Sequence, residues 1–338
     1  MTLVEPSPPT GEPSAALLAE VERLSQRVAQ VRERIGQVIF GQQRVIDQTL
    51  ITLLAGGHAL LVGVPGLAKT RLVEMLGIIL GVDAKRIQCT PDLMPADILG
   101  SEVLEESEGG RRAFRFIQGP VFCQLLMADE INRASPRTQS ALLQAMQEGR
   151  VSVAGHYHPL PKPFHVLATQ NPLEQEGTYP LPEAQLDRFI MQIDVSYPEL
   201  EAERRMLAAT TGVAETLPES VMGSDDLLAA QRLIRRIPVG TSVVDAILRL
   251  VRQGRPETSE LAEIREQVAW GPGPRASQAL MLAVRARAVL EGRLAPSVED
   301  VLALCGAVLR HRMALNFAAR ADGITIDHVI DRLAAPLT

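Results

Sequence analysis

The run Gly63-Val64-Pro65-Gly66-Leu67-Ala68-Lys69-Thr70 follows the apolar stretch Ala59-Leu60-Leu61-Val62 and opens a helix-like segment. Strand, glycine-bearing loop and helix are the setting of a phosphate-binding loop. Successive backbone N–H groups and the positive end of the helix cradle phosphates there. Lys69 adds a point charge on the β- and γ-phosphates, and the Thr70 hydroxyl ligates Mg²⁺. Residues 63–71, with Arg71 as the last, are the nucleotide-binding candidates. Ala68 stands where the strict pattern has glycine, and its small Cβ is tolerated if the residue takes helical φ/ψ. The bland alternative is a Gly-Pro-Gly turn with Lys69 solvated.

Leu125-Leu126-Met127-Ala128-Asp129-Glu130 is an apolar strand ending in two acids. Side chains alternate along a strand, so the two carboxylates project differently. Asp129 can face Mg²⁺, directly or through its water, while Glu130 polarises an attacking water. Alternatively the acids cap a helix. Val166–Pro172 is a second apolar strand with a polar end, where Asn171 either orients the lytic water or makes an Asn-Pro turn.

Two arginines complete the set. Arg188, in Leu186-Asp187-Arg188-Phe189, lies where a helix meets a strand. It either pairs with Asp187 or another local acid, or acts as a finger on a neighbouring subunit's γ-phosphate, stabilising charge that develops in transfer. Arg275 follows Gly271-Pro272-Gly273-Pro274 and precedes a helix over about 276–290. A cation at a helix start opposes the dipole, so it calls for an anion: ATP on the other domain, or a carboxylate such as Glu266.

The elements that must position these residues follow from hydrophobic periodicity. Strands are expected at 59–62, 86–90, 124–128, 165–169 and 189–195, with helices at 69–80, 135–148 and 182–188. Strands alternating with helices imply a parallel sheet with crossover connections. Residues 100–122, with Gly109-Gly110 between alternating stretches, read as a hairpin, and 151–164 as a second hairpin or an extended excursion whose His156 and His158 are solvated. Leu17, Val21, Leu24, Val28, Val31 and Ile35 form one helical stripe, either packed on its own domain or held in a short coiled coil. Residues 1–13 read as a Pro-rich tail, 211–226 as a loop, and the strand signal ends after Pro198. The division expected is a tail (1–13), a core (14–197) and a helical lid (198–338).

Composition narrows the classes. The 338 residues carry 34 Lys plus Arg against 40 Asp plus Glu, a net charge of −6 with 3% aromatics. That balance offers no bulk attraction for nucleic acid and few rings for base stacking. Cys89, Cys123 and Cys305 form neither zinc spacing nor a disulfide framework, which suits a reducing compartment. With no signal-peptide pattern and no run of about 20 apolar residues, a cytoplasmic protein without membrane insertion is expected.

Together these residues resemble the MoxR family of AAA+ ATPases over roughly 35–293. The most specific stretches are Gly57-His58, Gly63–Thr70, Asp129–Ala134, Ala168–Pro172, Tyr179–Phe189 and Pro274-Arg275-Ala276. The resemblance implies an α/β fold, an AAA+ P-loop αβα core with a five-stranded parallel sheet in the order 5-1-4-3-2, plus a C-terminal all-α lid and two hairpin insertions. It makes Lys69 and Thr70 Walker A, Asp129 and Glu130 Walker B, Asn171 sensor 1, Arg188 the trans-acting finger and Arg275 sensor 2. Val38, Ile39 and Gly41 match the segment bordering the adenine. ATP and Mg²⁺ are the implied cofactors. A homo-oligomer, in the form of a hexameric ring, protein clients and a von Willebrand factor A-domain protein are the implied partners. The expected cycle closes the lid so that Arg275 meets the phosphates, and a neighbour's Arg188 completes the site. The rivals are a nucleic-acid motor and a nucleotide-gated scaffold with little turnover.

Overall fold

The computed structural model describes residues 15–106, 112–174, 176–210 and 218–337. The tail at 1–13 and the Gly109-Gly110 turn therefore lie outside the described residues. In chain order the strands are β1 (Ala59–Val62), β2 (Ala84–Gln88), β3 (Gly100–Glu106), β4 (Arg112–Gln118), β5 (Leu125–Asp129), β6 (Arg150–Val153), β7 (His156–Pro159), β8 (His165–Gln170), β9 (Met191–Asp194), β10 (Val268–Trp270) and β11 (Ala314–Leu315). The helices of the first half are α1 (Ala15–Gly36), α2 (Gln43–Leu54), α3 (Lys69–Ile79), α4 (Pro95–Leu99), α5 (Pro136–Glu148) and α6 (Glu183–Leu186). Those of the second half are α7 (Leu200–Thr210), α8 (Ser224–Arg236), α9 (Thr241–Gln253), α10 (Ala262–Gln267), α11 (Pro274–Leu290), α12 (Val298–Leu309), α13 (Phe317–Ala321) and α14 (Ile326–Ala334).

The main sheet is parallel and runs β2-β5-β8-β1-β9. Counted over those five strands alone, this is the expected order 5-1-4-3-2. Its central strands are apolar without alternation because both faces are covered. Ala59, Leu61, Leu125, Met127 and Leu167 face a core shared with α1, α2, α3 and the C-terminal helices. Leu60, Leu126, Ala128, Val166 and Ala168 face the opposite core, with α5 and Phe189. β2 lies at the edge with only Ile87 of its five residues buried, so its signal is weak and the strand sits two residues before the expected 86–90.

The stripe of α1 settles against the molecule's own core: Val21, Leu24, Val28, Val31 and Ile35 are all buried in the first cluster. That is the packed-helix alternative and not the coiled coil. Both insertions are antiparallel hairpins, β3 with β4 and β6 with β7. They touch one another, because the His158 ring stacks on Phe116 with centroids 3.9 Å apart. His158 is therefore not a solvated loop residue, as expected, whereas His156 is exposed. Two further expectations change. The loop at 211–226 gives way to α8 at Ser224, and a short ladder, β10 against β11, interrupts the helical C-terminal region. Three- and two-residue strands are too short to leave a periodic trace. No helix of the described residues is long and apolar enough to cross a membrane.

Candidate active site

The phosphate loop leaves the C-terminal end of β1, between β8 and β9. It is drawn close by Gly63, whose N–H donates to the Gln170 carbonyl at 3.1 Å. A side chain at Gly63 would stand 2.6 Å from the Val195 carbonyl oxygen, so only glycine lets the loop start there. Gly66 has φ +83° with no atom within 4 Å of a built Cβ, which leaves that side of the loop open. Ala68 caps α3 at φ 57°, ψ 19°. This is the left-handed region and not the helical conformation expected, and it costs a Cβ-bearing residue roughly 1 kcal/mol.

Residues Pro65–Arg71 line a cleft of about 380 Å³ together with Asp129, Glu130, Thr169 and Asn171. The Lys69 ammonium donates to the Gly63 carbonyl and, at 3.0 Å, to that of Val64. Burial pulls its pKa down, while Asp129 and Glu130 oppose that shift. Asp129 ends β5 as a fixed acceptor: its Oδ1 takes a bond from the Thr169 hydroxyl at 2.5 Å and its Oδ2 one from Arg86 at 2.6 Å. Glu130 departs from the strand at φ 55°. Its N–H donates to the Thr169 hydroxyl at 2.9 Å, and its Oε2 accepts from Gln88 at 2.9 Å and Arg133 at 3.2 Å. Thr169 is thus the hub that ties the two acids together, its hydroxyl donating to one and accepting from the backbone of the other. Asn171 is buried, with its Oδ1 accepting from the Leu173 N–H at 3.1 Å.

Thr169, Gln88, Arg86 and Arg133 were not singled out in the sequence. Gln88 and Arg86 lie on the edge strand paired to β5, in register with Asp129 and Met127, so adjacent strands and not sequence neighbours supply them.

The arginines occupy a different place. Arg188 and Arg275 line a second pocket of about 220 Å³ with His58, Gln147, Gln278 and Leu282, and no residue of the phosphate loop borders it. Asp187, the expected partner of Arg188, is engaged by the buried Arg312 at 2.7 Å and lies 3.8 Å from Arg275. Arg275 thus neighbours Asp187 and not Glu266, and in this chain it sits beside Arg188 and not over the phosphate loop. The Arg188 Nε is buried without a hydrogen-bond partner. Burial and then the charge of Arg275 lower the Arg188 pKa.

Arg312 carries the wall of this pocket. It donates to the Phe189 carbonyl at 2.6 Å, the Ile190 carbonyl at 3.0 Å and the Val308 carbonyl at 2.6 Å, besides Asp187. Behind it are neutral histidines. His165 Nδ1 donates to the Gly57 carbonyl at 2.7 Å, which leaves Nε2 to accept from Gln231 at 3.0 Å. Burial pushes His165 down to about 4, and burial followed by His165 pushes His58 to about 3.

Val38, Ile39 and Gly41 form the turn between α1 and α2, and none of them lines the cleft. Ile39 is buried, Gly41 lies against Pro198 and Ala202, and the adjacent Gln42 donates to the Ser196 carbonyl at 2.7 Å. Gly63 and Val64 form the base of the loop and not its lining.

Comparison with known proteins agrees with this fold. Residues 58–191 match the model of the ATPase family associated with various cellular activities, and residues 261–333 match an AAA lid domain. The chain is 42% identical to Chaperone MoxR1 of Mycobacterium tuberculosis over 97% of this chain and 84% of that protein. It is 33% identical to Protein MoxR of Paracoccus denitrificans over 82% and 86% of the two chains. A crystal structure from Cytophaga hutchinsonii superposes with a TM-score of 0.86 at 36% identity, covering 93% of this chain and 96% of that one. With the β2-β5-β8-β1-β9 sheet, the loop after β1 and the paired acids after β5, these likenesses make the chain a member of the MoxR family of AAA+ ATPases.

Proposed function

We propose that the chain hydrolyses ATP at a site completed by a second copy of itself, and uses that turnover to remodel protein clients. The observation that carries the reading is the separation of the two half-sites: the loop, Lys69 and the acids share one cleft, and Arg188 and Arg275 share another. A phosphate chain in the first cleft would receive the N–H groups of the loop, with Lys69 turning from the Gly63 and Val64 carbonyls to the β- and γ-phosphates. Thr70 and Asp129 would hold Mg²⁺. Among the described residues no three His, Cys, Asp or Glu side chains gather around a common point, so the donor set is two oxygens, which suits an ion that keeps its waters and phosphate ligands. When bound, Mg²⁺ supplies charge neutralisation at the phosphate oxygens.

Glu130 accepts a hydrogen bond from the attacking water. The water oxygen bonds to the γ-phosphorus, the bond to the β–γ bridging oxygen breaks, and ADP, phosphate and a proton leave. Asn171 orients the same water. Arg188 and Arg275 of the neighbouring copy then stabilise charge on the γ-phosphate. This replaces closure of the lid onto its own nucleotide as the task of Arg275. The hairpins are the client-facing parts, since Leu104, Phe114 and Tyr157 expose apolar side chains there and the Phe116–His158 stack holds the two hairpins against each other. A cytoplasmic ring of six, with a von Willebrand factor A-domain partner, is the assembly that the family resemblance favours.

Phosphate release measured over a range of protein concentrations tests the reading. Turnover per subunit should rise with concentration, Glu130→Gln should bind a fluorescent ATP analogue yet turn over at least roughly 100-fold more slowly, and Lys69→Ala should lose binding. Ordinary turnover by Glu130→Gln would refute the role given to that carboxylate.

A further inference from the structure

Besides Arg188, the chain holds another arginine with a buried donor that nothing answers. The side chain of Arg285 on α11 makes no hydrogen bond or ion pair among the described residues and its Nε is buried without a partner, and the exposed side chain of Arg235 on α8 is likewise unpaired. Arg235 acts on Arg285 as a like charge, with no carboxylate offsetting it. Burial of an unpaired donor and the approach of two cations both cost free energy in the isolated chain. Such a cost is removed by an anion.

The position of the pair says where that anion comes from. Arg275, Gln278, Leu282 and Arg285 recur at spacings of three, four and three along α11, so they form one helical stripe. Its first three members line the Arg188 pocket. Ten residues of helix place Arg285 about 15 Å beyond Arg275. The Arg235 guanidinium lies near Gly56, two residues before His58 of that same pocket. The unanswered cations therefore continue the arginine pocket outward. A second copy that brings a triphosphate to Arg188 and Arg275 would approach the same stripe of α11 that carries Arg285. The chain carries 40 acidic side chains against 34 Lys plus Arg, so a copy of itself has carboxylates to offer.

We infer that Arg235 and Arg285 form a contact for carboxylate side chains of a second copy of this chain, holding the neighbour in place beyond the nucleotide itself. This rests on the shared-site reading of the arginine pocket, and it assigns the two residues to assembly and not to chemistry.

Sedimentation velocity over a range of protein and NaCl concentrations, with Mg²⁺ and a non-hydrolysable ATP analogue, tests it on the parent, Arg235→Gln, Arg285→Gln, Arg285→Lys and the double Gln variant. The double variant should need roughly tenfold more protein to assemble, equivalent to about 1.4 kcal/mol. Its assembly should also depend less on salt, because charge pairs are screened. Affinity of the dilute chain for a fluorescent ATP analogue should stay at the parent value, and Arg285→Lys should fall between parent and Arg285→Gln. Arg235 is exposed, so Arg235→Gln keeps the test valid should Arg285→Gln fold poorly. A double variant that assembles at the parent's concentrations with the parent's salt dependence overturns this contact alone. A parent that never assembles overturns the shared site and the contact together.

Discussion

The two pockets treat charge in opposite ways. In the phosphate-loop cleft the chain satisfies its own ions: Asp129 is held by Thr169 and Arg86, Glu130 by Gln88 and Arg133, and Lys69 by two loop carbonyls. In the arginine pocket the lining carboxylate, Asp187, is already engaged by Arg312, Glu148 acts on Arg188 through its charge, and the Arg188 Nε is buried without a hydrogen-bond partner. Buried donors are ordinarily satisfied, so the first pocket answers its own charges while the second leaves a donor open. That difference is what the shared-site proposal accounts for: a second copy of the chain would bring the missing anion.

Breaking the unfinished half should cost the most. Arg188→Ala should lower turnover by roughly 10³-fold, the scale of an arginine finger, while the dilute chain binds a fluorescent ATP analogue as the parent does. A parallel loss of binding would place Arg188 at its own chain's nucleotide.

The frame of that half should be nearly as sensitive, in stability. Arg312→Met strips a buried cation from the Asp187 carboxylate and four backbone carbonyls, leaving those acceptors short of a donor. A loss of roughly 3–5 kcal/mol is expected in urea unfolding. A loss below about 1 kcal/mol would show that Arg312 does not hold the pocket wall.

Acid should loosen the same side first. His165 and His311 are buried and neutral, with His165 near 4 and His311 pushed well below its ordinary value by burial. Their folded pKa lies below the unfolded 6.5, so stability is whole above pH 6.5 and falls as pH drops below it, by about 1.4 kcal/mol per pH unit for each histidine. Unfolding followed from pH 7 to pH 5 measures this, and a flat profile would contradict the neutral packing.

The smallest effect sharpens the other half. Ala68→Gly removes a Cβ from a left-handed residue and should stabilise the chain by about 1 kcal/mol, seen as a higher unfolding midpoint. Destabilisation would mean that the conformation at φ 57° is not that of the folded chain.

Much of this was legible before any coordinates. β1, β5 and β8 are buried on both faces, which writes itself into the sequence as unbroken apolar runs, and the loop and paired acids follow those runs directly. What stayed hidden depends on contacts between distant segments. Thr169 reads as one more strand residue until β8 lies beside β5, 39 residues away from Glu130. Gln88 and Arg86 sit on an exposed edge strand with no pattern of its own. Arg312 looks like a surface cation, and only its three partner residues at 122–125 residues' remove, with Val308, explain its burial. Arg275 shows the same limit: a helix start predicts an anion, and only the fold brings Asp187, 88 residues away, to within 3.8 Å of it.

Mixing two inactive variants tests the central claim most directly. Lys69→Ala keeps its arginines and lacks its loop lysine, whereas Arg188→Ala keeps the loop and lacks the finger. If the site is shared, an equimolar mixture should hydrolyse ATP well above the sum of the two separate preparations, because an intact loop then faces an intact Arg188 on its neighbour. Turnover no higher than that sum, in a mixture shown to co-assemble, would contradict the account.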